Sequence, residues 1–284
     1  MSSPKIPLSE ASYGQDARPV VSVLITSFNH EKYIGECLES ILRQKTDFPV
    51  EIIVVDDCSP DRTADILTAY AKKYSAIFKI VLLKENHRSR CLPVYTLAYK
   101  AASGEFVAGC DGDDFWLDPD KLQKQVEILR AFPECVFSFH NAIKMGEDRK
   151  LEKYLCLTKK MARDFSQEEL WHFTSWIPQQ SMLYRRCFEE FPPEFDIVPN
   201  RDNFLPIFLA QHGSAKFQPD IKPSIYRIHT ESFWSSKSLA QQNLITLRSV
   251  LIIASYLLRI GKIDVAKRLI LARLLSSIKA LLDV

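Results

Sequence analysis

Along the first half of this chain, short continuous apolar runs alternate with stretches in which apolar residues recur at helical spacing. Val21-Ser22-Val23-Leu24-Ile25-Thr26-Ser27-Phe28-Asn29 is a run of the first kind that ends in polar residues, and it reads as a buried strand. Ile34, Cys37, Leu38, Ile41 and Leu42 follow with Glu31, Lys32, Glu36, Glu39 and Arg43 mostly opposite, which predicts an amphipathic helix over 31–45 capped by Asn29. Val50 to Val55 is the next strand, and Ser59-Pro60 reads as a cap with proline in the first turn of a helix carrying Ile66, Leu67, Tyr70 and Tyr74. Phe78 to Leu83 as strand, Leu92 to Ala102 as a helix ended by Gly104, and Glu105 to Cys110 as strand continue the alternation. Strands separated by helices of this length indicate βαβ units and a largely parallel sheet.

Beyond a helix that starts near Pro119 and runs through Leu122, Val126 and Leu129, the pattern is mixed. Val136 to Phe139 and Ser181 to Tyr184 read as strands, and 166–173 and 201–212 as helices. The C-terminal part predicts two helices, 238–260 and 262–284, separated by Gly261; the second carries Leu271, Leu274, Leu275, Ile278, Leu281 and Leu282 as an apolar stripe.

With 46 % hydrophobic and 25 % charged residues over 284 positions, one large globular domain with an appendage is expected. The net charge of +2 argues against a nucleic-acid partner. It is unevenly spread: eight Lys/Arg face two Asp/Glu from Lys237 onward, leaving 29 against 33 for the rest. Such a basic amphipathic tail suits peripheral contact with an anionic membrane, packing on the body, or a homo-oligomer through residues 237–284. Seven scattered cysteines without a Cys-x-x-Cys pair read as reduced, and the polar first eighteen residues lack the apolar core of a signal peptide. The run from Ser249 to Leu258 is shorter than a membrane span. A cytoplasmic protein, working at or near the inner face of the cell membrane, is the expectation.

Two acidic clusters change the picture: Val54-Val55-Asp56-Asp57 and Cys110-Asp111-Gly112-Asp113-Asp114, each at the end of an apolar strand. Carboxylates there are costly unless a cation or hydrogen-bond donors sit against them. Alternate carboxylates of Asp111-Gly112-Asp113 can point to one side, with glycine permitting close approach, and hard cations such as Mg²⁺ or Mn²⁺ take one or two carboxylates plus substrate phosphates. In parallel α/β sheets ligands collect outside the carboxyl ends of the strands. A calcium loop counted from Asp111 fails, since Trp116 and Leu122 stand where Gly and Glu are needed. A phosphatase with an aspartyl nucleophile would place such a strand first, not fourth.

Taken together, Val21 to Asn29, Ile53-Val54-Val55-Asp56-Asp57-Cys58-Ser59-Pro60-Asp61 and Gly104 to Asp114 resemble, in order and spacing, the nucleotide-sugar-binding half of glycosyltransferase family 2. The resemblance covers about residues 19 to 140. It implies an α/β fold of GT-A type, a Rossmann-like mixed sheet flanked by helices with a C-terminal helical appendage. The implied domains are an N-terminal extension (1–18), the nucleotide-sugar-binding half (19–140), an acceptor-binding half (141–236) and the basic helical tail (237–284). The implied reaction is metal-dependent, inverting transfer from a nucleoside-diphosphate sugar, UDP by family frequency, to a saccharide or lipid-linked saccharide acceptor, in bacterial surface polysaccharide biosynthesis.

By the same resemblance, Thr26, Phe28 and Asn29 would line the nucleoside pocket, Asp57 together with Asp56 would accept from the base, and Asp111 would sit near the ribose. Strand-end packing would account for Thr26 and Phe28 as well. Asp113 would hold Mn²⁺ or Mg²⁺. Asp202, in Asn200-Arg201-Asp202-Asn203-Phe204-Leu205, would be the general base, although Asp in the first turn of a helix is also favoured by the macrodipole. Tyr226-Arg227-Ile228-His229-Thr230-Glu231-Ser232 would bring Arg227 to the diphosphate and His229 to the metal, and Arg88, in an altered segment over 86–90, would be a further diphosphate contact. A nucleotidyltransferase, or an inactive glycan-binding or scaffold protein, are the competing readings.

Overall fold

The computed structural model describes residues 4–11, 13, 17–87, 94–173, 175–232 and 234–282, without the side chains of 275–282. Its elements in chain order are β1 (Ile6–Pro7), β2 (Val21–Ser27), α1 (Ile34–Leu42), β3 (Lys45–Thr46), β4 (Val50–Asp56), α2 (Thr63–Lys73), β5 (Phe78–Leu82) and α3 (Val94–Lys100). Next come β6 (Phe106–Asp111), α4 (Lys121–Ala131), β7 (Cys135–Phe139), β8 (Ala142–Met145), β9 (Leu151–Leu155), α5 (Gln167–Trp171) and β10 (Leu183–Arg185). The rest are α6 (Pro193–Ile197), α7 (Arg201–Leu209), β11 (Ser214–Phe217), β12 (Ser224–Arg227), α8 (Leu239–Arg259) and α9 (Ile263–Leu282).

Seven strands form one sheet in the order β11-β7-β10-β6-β2-β4-β5. β6, β2, β4 and β5 run parallel, as the alternation requires, and β10 lies antiparallel between β6 and β7. Because β2 has β4 on one side and β6 on the other, strand order reverses at β2, and a crevice opens there at the carboxyl ends. Both faces are covered. Val23, Ile25, Ile52, Val54, Ala108 and Cys110 pack with α1, α2 and α4, while Leu24, Ile53, Val55 and Val107 pack with α3, α7 and α8. Burial on two faces is why these strands read as continuous apolar runs.

One charge inside the parallel sheet is fully engaged. Glu51 of β4 accepts from Ser22 Oγ at 2.6 Å, Ser103 N at 2.7 Å, Ser103 Oγ at 2.8 Å and Lys79 Nζ at 2.6 Å. Burial raises its pKa, but these donors outweigh burial and hold it below the ordinary carboxylate value of 4.5. Its stabilising contribution is therefore present above that value and lost as the pH falls through the lower folded-state value. Glu51→Ala strands buried donors and is expected to cost about 2–4 kcal/mol, read as a drop in the thermal midpoint at pH 7.

Several local expectations shift for identifiable reasons. Asn29 does not cap α1: it sits at φ 60°, and the helix begins only at Ile34 after a turn at 30–33. The Ser59 hydroxyl turns back to Asp56 at 2.5 Å, and Asp61 instead receives Thr63 N at 3.0 Å where α2 starts. β12, β8 and β9 form a second, three-stranded sheet that periodicity did not reveal.

The tail packs on the body. α8, opened by a Ser238–Gln241 capping box, buries Ile253, Ala254, Tyr256 and Leu257, and α9 turns back after Gly261 (φ 78°) to bury Val265 and Ala266. Leu271 and Leu274 of the expected stripe are exposed, and its later members lie outside the described side chains. Among the described residues no helix is long and apolar enough to cross a membrane.

Candidate active site

Strand register assembles the crevice. Thr26 stands opposite Val55 on one side and Asp111 on the other, and Ser27 stands opposite Asp56, so three parallel strands end level. The Thr26 hydroxyl donates to Asp111 Oδ1 at 2.7 Å, and Gly112 N continues the ladder to Thr26 O at 3.0 Å. A Cβ on Gly112 would lie 2.7 Å from His30 Nδ1 and 2.9 Å from Ile34 Cδ1, so glycine lets the acidic loop lie against the start of α1 without displacing those side chains.

The loop after β4 is laced to the loop after β2. Asn29 N donates to Ser59 Oγ at 2.9 Å, and Asp57 N donates to Ser27 O at 2.9 Å. Asp56 is engaged locally: its oxygens take Ser59 N at 2.9 Å and Ser59 Oγ at 2.5 Å, bracing a turn in which Cys58 is left-handed at φ 61°. Burial raises its pKa, with the Ser59 contacts acting against that. Asp57 is also buried and accepts His87 N at 2.6 Å. Phe28, by contrast, is 39 % exposed, a large apolar face left open at a strand end rather than packed beneath it. Arg88 lies outside the described residues.

Asp113 faces two imidazoles. His229 Nε2 is 3.1 Å and His30 Nε2 3.7 Å from Asp113 Oδ2, while His229 Nδ1 is buried without a partner. Burial raises the Asp113 pKa, but these neighbours prevail and hold it below the usual carboxylate range. Asp114 behaves oppositely: burial first, then the Asp113 charge, push it well up. His30 was not singled out in the sequence, and its only signal there is a polar residue directly following Asn29 at the strand end.

Arg227 is buried, and three of its N–H groups are engaged within the protein. Its Nε donates to Asp113 O at 2.8 Å, its N to Asp114 Oδ1 at 2.8 Å and its Nη2 to Glu36 Oε2 at 2.8 Å. These contacts tie Arg227 to the acidic loop and to α1 at 5 % side-chain exposure. Glu36 was placed only on the polar face of a helix by periodicity.

Asp202 enters from the other half, in the first turn of α7. Its carboxylate accepts Asn203 N at 3.1 Å, and its pKa is raised to about 6, by burial first and then by the charge of Asp111. Tyr226 lies among all these carboxylates: burial, then Asp114, Asp202, Asp113 and Asp111, push its hydroxyl pKa up. Its ring is 5.8 Å from that of Trp176.

The donor set suits a hard divalent cation. Among the described residues no group of three or more His, Cys, Asp or Glu converges as a complete cage. What is present is a carboxylate paired with an imidazole at the mouth of a crevice. That is the incomplete shell expected where substrate phosphates and water supply the remaining ligands.

Sequence and structure comparisons place the chain among known proteins. The chain is 37 % identical over 148 residues to the putative teichuronic acid biosynthesis glycosyltransferase TuaG of Bacillus subtilis, covering 52 % of this chain and 56 % of TuaG. Its fold is similar to S. aureus TarS 1-349 in complex with UDP-GlcNAc, with TM-score 0.58 and 20 % identity over 84 % of this chain and 71 % of that one. It is also similar to the mannosyltransferase PcManGT of Pyrobaculum calidifontis in complex with GDP-Man and Mn²⁺, with TM-score 0.55 and 17 % identity over 95 % and 78 % of the two chains. The chain spans at most 62 % of the length of the curated relatives compared with it, 56 % for TuaG and 51 % for a glycosyltransferase of Nostoc. The model of glycosyl transferase family 2 matches residues 22–191, three-fifths of the chain and the whole of the crevice floor, and the protein belongs to that family.

Proposed function

We propose that this protein transfers a sugar from a nucleoside-diphosphate donor, a UDP-sugar, to an acceptor hydroxyl with inversion at the anomeric carbon, in assembly of a bacterial surface polysaccharide. The observation that supports the reading is that Asp202, a carboxylate with its pKa raised to about 6, feels the charge of Asp111, two residues before the Asp113 that meets His229. A group that titrates close to neutrality but is ionised at pH 7 is suited to accept a hydroxyl proton. The names and bound molecules of the relatives support the class: teichuronic acid biosynthesis for TuaG, UDP-GlcNAc in TarS, GDP-Man with Mn²⁺ in PcManGT.

In this reading residues 19–140 bind the donor and 141–236 the acceptor. Phe28 offers its open face to the base, Asp57 accepts from it, Thr26 holds the Asp111 carboxylate toward the ribose, and Asn29 lines the same pocket. Asp113 and His229 would hold the divalent ion, which when bound neutralises charge growing on the leaving diphosphate. Asp202 takes the proton of the attacking hydroxyl as the new bond forms. The Tyr226–Trp176 pair gives the acceptor side an aromatic wall.

Calorimetry with UDP, GDP and dTDP, with and without Mn²⁺, alongside hydrolysis of a nucleotide-sugar panel, tests this. UDP is expected to bind in a Mn²⁺-dependent way, with slow hydrolysis of one UDP-sugar. Pyrophosphate release without sugar release would point to a nucleotidyltransferase. No binding of any nucleotide would leave the inactive glycan-binding reading.

A further inference from the structure

Arg227 touches both acids that follow Gly112, and a single carboxylate across the domain pairs with it. We propose that Glu36, in the first turn of α1, is a positioning residue for the divalent-ion site and acts through Arg227; this rests on the donor-binding role proposed above for Asp113 and His229. Glu36 Oε2 accepts Arg227 Nη2 at 2.8 Å, while Glu36 Oε1 takes Arg149 Nη2 from outside at 2.7 Å. The inner arginine is 5 % exposed and the outer one 64 %, so the Arg227 arm is the shielded half of the pair.

From that anchor Arg227 distributes its other contacts. Its Nε fixes the Asp113 carbonyl, its backbone N–H fixes the Asp114 carboxylate, and its guanidinium sits between the rings of Tyr33 at 4.9 Å and Phe115 at 5.2 Å. Phe115 in turn pairs with Ile225 of β12 through two backbone hydrogen bonds, 2.9 and 3.4 Å. Tyr33 also lies 4.6 Å, ring to ring, from His229. Hence the carboxylate and imidazole proposed as ion ligands, which come from positions 113 and 229, share one clamp, and among the described contacts Glu36 supplies the one carboxylate that the Arg227 guanidinium meets. A planar fork between two rings transmits position because it can donate in two fixed directions at once.

The geometry also explains why Asp113 and Asp114 can lie side by side. The Asp114 carboxylate accepts the backbone N–H of Arg227, while the Asp113 side chain faces His229 and His30. Without Glu36, Arg227 would be a buried cation lacking its counter-charge, and its lowest-cost response is to swing toward Asp113 or Asp114, or outward to water.

The test is a calorimetric titration of UDP into the full chain, with Mn²⁺ varied and, separately, with EDTA. Glu36→Gln is expected to weaken the apparent Mn²⁺ affinity of the UDP complex by about tenfold, the scale typical of partners that orient metal ligands, and to leave UDP affinity in EDTA within about twofold of wild type. Arg227→Lys should do the same, and the double variant should be no weaker than Arg227→Lys alone, because the two residues act as one unit. Thermal melts establish folding; if Glu36→Gln melts below the assay temperature, Arg227→Lys, which keeps a cation beside Glu36, carries the comparison. Unchanged Mn²⁺ affinity in the folded variants, or losses that add in the double variant, would overturn the positioning role. A wild-type chain with no Mn²⁺-dependent UDP binding would instead remove the donor reading, and this role with it.

Discussion

Replacing Asp202 by Asn is expected to lower turnover by about 10²–10⁴-fold while leaving Mn²⁺-dependent UDP binding close to wild type. The two side chains have the same shape, and the amide oxygen can still accept from Asn203 N as the carboxylate does at 3.1 Å. What is lost is the ability to take a proton. A variant with near-normal turnover would place the base elsewhere. The wild-type pH profile gives a second reading of the same group. Burial and the nearby Asp111 charge both disfavour the ionised form, which is why the Asp202 pKa lies at about 6 rather than 3.8. Because the ionised form is the active one, kcat/KM should fall about tenfold per pH unit on the acid side of that value. A cation bound beside Asp113 favours the carboxylate and moves the limb to lower pH, and in Asp202→Asn the limb disappears.

Asp113→Ala is the second large effect, and it falls on binding rather than on proton transfer. This carboxylate is the side chain that meets His229 Nε2 at 3.1 Å and His30 Nε2 at 3.7 Å, so its removal leaves two imidazoles without the anion that gathers them. The loss of apparent Mn²⁺ affinity in the UDP complex should exceed the ~10–100-fold typical of losing a supporting partner, because on the proposed reading a ligand itself is gone. UDP affinity in EDTA should change little, since Thr26, Phe28 and Asp57 are untouched. Equal Mn²⁺ affinity in Asp113→Ala and wild type would sink the assignment of this residue. The two variants thus separate: Asp202→Asn keeps the metal-dependent binding that Asp113→Ala loses.

Part of this molecule was decided by local sequence alone. The parallel half was legible because its strands are buried on both faces and its helices on one, so each element carries its own periodicity: Val21 to Ser27, Val50 to Asp56 and Phe106 to Asp111 stand within a residue or two of where the apolar runs put them. The acidic clusters were legible for the same reason, since a carboxylate directly after a buried run is costly unless donors or a cation meet it there. The tertiary structure decided the rest. β8, β9 and β12 are short and partly exposed, so they carry no clear period, and they exist because they pair with one another. Asp56 and Asp57 look alike in the sequence, and only the turn at Cys58 sends one to Ser59 and leaves the other to His87. Arg227 has the chemistry of a phosphate ligand, and only the fold pairs it with Glu36, 191 positions away. His30 joins Asp113 only because Gly112 lets the loop lie against α1. Periodicity records which side of an element is buried, whereas the direction of a polar side chain is set by partners from distant segments, and those meet only in the folded chain.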